Sequence, residues 1–129
     1  MPIITGEFTV AMQPEAMSAV AADSGIGRMS LDKHYHGALQ AEGKGEMLAY
    51  MDRALGSGVY VAVERVTGAV EGRSGSFLLH HTGVMTRGAP SLSVAVVPDS
   101  GTGELAGLRG TLNIRIDGGK HYYDFDYTL

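Results

Sequence analysis

The sequence predicts an all-β, antiparallel sandwich or barrel in a single domain spanning residues 1–129, with little helix. Three observations predict it. Short stretches alternate apolar and polar residues with a period of two, the spacing of a strand with one face inward. Nineteen glycines, about twice the usual share of roughly 7%, are spread along the chain as turns and bulges rather than gathered in one linker. Turn chemistry, as in "PDSGTG" (98–103) and "DGG" (117–119), separates the alternating stretches. A closed barrel is the favoured form, because closure removes exposed sheet edges.

The elements follow in order. "GEFTVAM" sets Phe8, Val10 and Met12 against Glu7, Thr9 and Ala11. "PEAMSAVAADSG" (14–25) has some helical character. "GRMSLDKHYHGAL" sets Met29, Leu31, Lys33 and Tyr35 against Arg28, Ser30, Asp32, His34 and His36. "GEMLAYMDRALG" (45–56) reads either as a helix or as a strand followed by a turn. "GVYVAVERV" is apolar on both faces until Glu64 and Arg65, and Tyr60, Ala62 and Glu64 share one of them. "SGSFLLHHTGVMTRG" (74–88) places Phe77, Leu79, His81, Gly83 and Met85 on its bulkier, inward face, with His80 outward. "SLSVAVV" aligns Leu92, Val94 and Val96, "TLNIRI" aligns Leu112, Ile114 and Ile116, and "HYYDFDYTL" aligns Tyr123, Phe125 and Tyr127.

Composition narrows the function classes. With 44% hydrophobic and 19% charged residues the chain is globular rather than disordered. A net charge of −4 with singly scattered Lys and Arg argues against nucleic acid as a partner. The chain lacks cysteine, so disulfides, thiol nucleophiles and thiolate metal sites are excluded, in keeping with a reducing, cytoplasmic setting. No apolar run approaches the roughly 20 residues of a membrane-spanning helix, so no membrane partner is expected.

The blocks "MSLDKHYHG", "GKGEML", "YVAVERVTG", "GRSGSFLLHHTG", "VVPDSGTGELAGLRGTL" and "GKHYYDFDYTL", in that order, resemble the bacterial domain-of-unknown-function-3224 family from about residue 4 to the C-terminus. The resemblance implies an eight-stranded antiparallel barrel related in shape to allene oxide cyclase and the dirigent proteins. It also implies a homodimer, and it assigns no catalytic residues. One departure is His80, where the family pattern leads one to expect Gln; this argues against an essential role for that side chain.

Within this frame a few side chains carry candidate chemistry. His34 and His36 of "HYH", with Glu42 downstream, have the same-face spacing of a metal pair. They share that face with Arg28, Ser30 and Asp32, however, so it reads as solvent-facing and no metal site is assigned. An inward His81 needs a partner for its ring N–H and offers its other nitrogen to a ligand, or is simply a satisfied core residue. Glu64 is costly to bury unpaired; His81, Lys33 and groups near Arg65 are its candidate partners. Lys33 is the odd residue on its face, and the usual solution is for its ammonium to reach the barrel mouth. Tyr35, Tyr60, Tyr123 and Tyr127 either line a cavity or fill the barrel. "GTGELAG" lacks a phosphate-loop lysine and following helix, and Ser74 and Ser76 lack a nucleophile-elbow context.

These residues lead to a binding module, a small barrel holding a modest, largely apolar ligand, with Glu64, His81, Lys33 and the tyrosines as polar contacts and no cofactor. Two alternatives stay open. One is a cofactor-free isomerase or cyclase acting in the same cavity, and the other a structural or interaction protein with a filled barrel. Outward Val and Leu of "VYVAV" and "SFLLHH" need cover, in line with a homodimer.

Overall fold

Eight antiparallel strands follow one another in chain order around a closed barrel in the computed structural model, which describes residues 3–129. They are β1 (Ile3–Glu15), β2 (Gly27–Gly37), β3 (Leu39–Asp52), β4 (Ser57–Val70), β5 (Arg73–Thr86), β6 (Ala89–Val96), β7 (Arg109–Asp117) and β8 (Lys120–Thr128). The barrel closes where β1 pairs with β8, from Ile3 opposite Asp126 to Phe8 opposite His121. The alternation read from the sequence is the alternation observed: Leu31, Lys33 and Tyr35 of β2, and Phe77, Leu79 and His81 of β5, are buried, while His34, His36 and His80 are exposed. Among the described residues no helix is long and apolar enough to cross a membrane.

Of the two segments with helical character, the first is mostly not helix and the second follows the strand-and-turn reading. Of residues 14–25, Pro14 and Glu15 continue β1, and only Ala19–Ala21 forms one turn of 3₁₀ helix. Residues 45–52 belong to β3, and the chain then turns into β4. All fourteen residues of β3 pair with β4, and nine residues of β2 pair with its other edge. A ladder on both edges outweighs the weak helix preference of Glu, Met, Leu and Ala.

One end of the barrel is packed solid. Leu39, Val66, Val70, Phe77, Leu79, Leu105, Leu108, Leu112, Tyr123 and Phe125 are buried there. The Phe77 and Phe125 rings stack with centroids 5.9 Å apart. The packing depends on residues 97–108, because β6 and β7 pair only at Ala95 and Thr111. That segment lies along β5 instead: Thr102 N–H donates to the Ser76 carbonyl (2.8 Å), and Leu78 N–H to Ser100 Oγ (3.0 Å). It then turns Leu105 and Leu108 into the core. Gly75 permits this approach, since a Cβ there would lie 2.1 Å from the Thr102 carbonyl oxygen. The "GTGELAG" stretch is thus a plug between strands, with a single 3₁₀ turn at Gly103–Leu105.

Candidate functional site

Above the packed end sits a cluster of buried polar groups. Strand alternation points Lys33 and Tyr35 inward from β2, Glu64 from β4 and His81 from β5. Strand β3 lies between β2 and β4, yet Glu64 reaches across it, because β3 carries glycine at the crossing. A Cβ on Gly43 would lie 2.2 Å from Glu64 Oε2, and one on Gly45 would lie 2.8 Å from Glu64 Cβ. The "GKG" of β3 therefore opens the corridor through which the carboxylate meets its partners.

Glu64 Oε1 accepts hydrogen bonds from Lys33 Nζ at 2.8 Å and His81 Nε2 at 2.7 Å. The Tyr35 hydroxyl lies 3.0 Å from Oε2 and 3.1 Å from Oε1. Burial pushes the Glu64 carboxyl up, but the His81 hydrogen bond and the Lys33 charge outweigh it and hold the group below its ordinary value of 4.5. Burial and then the Glu64 charge push the Tyr35 hydroxyl well above its ordinary 10.0, so Tyr35 donates rather than ionises. The Lys33 ammonium does not reach for the barrel mouth as the sequence led one to expect. It is only 5% exposed, turned toward Glu64, with the Phe8 ring centroid at 5.4 Å. A counter-ion inside the barrel explains this departure, since a buried ammonium is tolerated when it is paired.

The cluster is the floor of a cup. Beyond it the barrel is open, enclosing a cavity of about 310 Å³ with Lys33 and His81 at its base. Leu31, Met47, Tyr60, Ala62, Leu92 and Ile114 line its wall, and Met12 and Ile116 also border it. A second hollow of about 330 Å³ adjoins the cup and shares Met47, Tyr60 and Leu92. The barrel is thus filled at one end and hollow at the other. Glu64 stays behind the floor, its side chain fully buried, and presents Lys33 and His81 to the space.

The seven residues singled out in the sequence divide accordingly. Glu64, His81, Lys33 and Tyr35 come together, and Tyr60 stands in the cup wall. Tyr123 and Tyr127 do not line the cup. The Tyr123 hydroxyl accepts from Leu39 N–H (3.0 Å) and donates to the His36 carbonyl (2.8 Å), tying β8 to the β2–β3 turn. The Tyr127 hydroxyl bonds Glu71, at the packed end. His34 and His36 face outward; His34 lies 3.7 Å from both Asp32 and Glu42. Among the described residues no three His, Cys, Asp or Glu side chains gather to hold a metal.

Two contributors escaped the sequence reading. His121 lines the cup and packs its ring on Phe8 at 5.3 Å. It shares its alternation face with Tyr123, which was signal enough to include it. Gly43 was visible as a glycine inside a strand, the usual mark of a close approach, but its visitor comes from another strand.

No curated protein matches the chain. Among solved structures, a protein with unknown function from the DUF3224 family of Shewanella oneidensis MR-1 is 46% identical, over 100% of this chain and 97% of that one, with a TM-score of 0.92. A family model described as "Protein of unknown function (DUF3224)" matches residues 4–127. The chain belongs to this family, and its eight-stranded barrel is of the allene oxide cyclase-like type.

Proposed function

We propose that the protein is a binding module which holds a small, largely apolar ligand in the cup. The observation that carries this reading is an apolar wall ending on a polar floor, where a filled barrel would have continued its core. The cavity is small, at the lower end of the roughly 300–1,000 Å³ of ligand pockets. A largely preformed pocket limits the ordering that binding requires. The neutral dye N-phenyl-1-naphthylamine tests it. Saturable fluorescence enhancement is expected for the native protein, and its loss in Ala62→Phe, which fills the cup, with the β-sheet circular dichroism retained. A native protein that shows no saturable binding refutes the reading.

We further propose that two copies pair through the outer face of β3, β4 and β5, in a reducing, cytoplasmic setting that the lack of cysteine supports. Leu48, Tyr50, Val59, Val61, Val63 and Val84 leave an exposed apolar face there. Val63 lies opposite Glu46 on one side and His80 on the other. A two-fold axis along β4 sets β3 of one copy over β5 of the second, so that Glu46, which also holds Arg28 of its own chain, meets the second copy's His80. This complementarity favours a second copy of the chain as the occupant.

A further inference from the structure

We infer that the ligand is an apolar monocarboxylate whose head group sits on Lys33 and His81, and that it enters the barrel together with one proton. This rests on the cup being the ligand site, and it concerns what the floor selects.

The floor offers more hydrogen-bonding capacity than the protein uses. Of the three N–H groups of Lys33, one is spent on Glu64, and no other protein acceptor is within hydrogen-bond distance among the described residues. His81 engages Glu64 through Nε2, and its Nδ1 has no protein partner among the described residues. Both side chains border the cavity, whereas the carboxylate that holds them does not. A ligand therefore meets an ammonium and an imidazole nitrogen side by side, with the negative charge hidden behind them. Two oxygens on one carbon match an ammonium and a ring nitrogen on neighbouring walls, and charge-assisted bonds to a carboxylate are the stronger kind. The wall dictates the orientation: Leu31, Ala62, Leu92 and Ile114 accept a hydrocarbon body, which extends past Tyr60 toward the adjoining hollow.

The proton follows from charge balance. Lys33 and Glu64 cancel, and Tyr35 is neutral. The other titratable groups near His81 are Tyr60 from β4 and His121 from β8; β1, β3, β6 and β7 present apolar side chains or glycine to the cup. With His81 neutral and its Nε2–H on Glu64, a carboxylate added to this floor would stand as an uncompensated buried charge, facing a lone pair on Nδ1. One proton on Nδ1 makes that nitrogen a donor and restores neutrality. If the proton rides on the ligand carboxyl instead, it donates to Nδ1 and the count is the same. No bond to the ligand is made or broken.

Calorimetry with octanoate and octan-1-ol tests this, from about pH 6 to about pH 9, above the ordinary carboxyl range. Titrations in phosphate and in Tris, which differ in ionisation enthalpy, count the protons taken up. The expected result is octanoate binding with uptake rising toward one proton, and affinity falling toward about tenfold per pH unit at the alkaline end. Octan-1-ol is expected to bind without proton uptake and with no pH dependence. Lys33→Met is expected to weaken octanoate by about tenfold or more and to spare octan-1-ol. If that variant does not fold, the proton count on the native protein still decides. Failure of octanoate to bind, or binding without proton uptake, overturns the inference. In that event, binding of octan-1-ol or N-phenyl-1-naphthylamine leaves the cup reading standing, and failure of all three ligands removes both.

Discussion

The Glu64 carboxylate is where β2, β4 and β5 exchange charge: it receives Lys33, Tyr35 and His81 and is shielded from the cavity by two of them. Removing one member of such a buried group leaves the others unpaired, which costs about 3–5 kcal/mol where a lone charge remains. Its protonation is linked to folding with a definite sign. The folded group lies below its ordinary value of 4.5, so the folded state favours the ionised form. The stability this contributes is complete above that value and is lost as pH falls through it toward the folded value. Urea unfolding of the native protein and Glu64→Gln at a series of pH values should therefore give a stability difference that is constant above about pH 6 and shrinks below about pH 4.5. A difference independent of pH would show that the carboxylate is not held ionised by its neighbours.

Strand β3 shows how an element acquires a function its own sequence does not announce. Its glycines 43 and 45 are weak strand formers, and its Glu, Met, Leu and Ala suit a helix. Pairing on both edges makes it a strand, and the missing side chains make it a passage for Glu64. Gly43→Ala should accordingly destabilise the protein by about 1–3 kcal/mol in urea unfolding, as overpacking does. A change within about 0.5 kcal/mol, typical of an exposed site, would mean that the carboxylate has room to move aside. The strands with clean alternation, such as "FLLHH" and "HYYDFDYTL", were readable residue by residue, because the period alone decides which side chain points inward. That separated His81 from His80 and put His81 and Lys33 among the candidate partners of Glu64. Whether the barrel is hollow was not readable in this way. It depends on the sum of side-chain volumes around eight strands at one height, here lowered by Ala62, and no single strand holds that information.

At the scale of the molecule the barrel has two unlike ends and one unlike side. The packed end, with Phe77, Phe125, Leu105 and Leu108, carries the core. An apolar face is exposed over β3, β4 and β5, and Val61 lies within it, 45% exposed. Sedimentation equilibrium should find a dimer, and Val61→Lys a folded monomer, since a charge at the middle of a two-fold face meets its own copy. A native protein that sediments as a monomer would leave this face without the proposed occupant. The separation of the two ends has one further consequence. Met12, Leu92 and Ile116 around the cup are 50%, 41% and 67% exposed, so exchanging them changes stability little, within about 0.5 kcal/mol each. The cup's exposed border thus carries little of the stability, whereas the buried floor of Lys33, Glu64 and His81 carries a large part of it. On the proposed binding reading, descendants of this chain are free to vary the cup's border and sample new hydrocarbon shapes, while inheriting unaltered both the scaffold and the charged seat beneath.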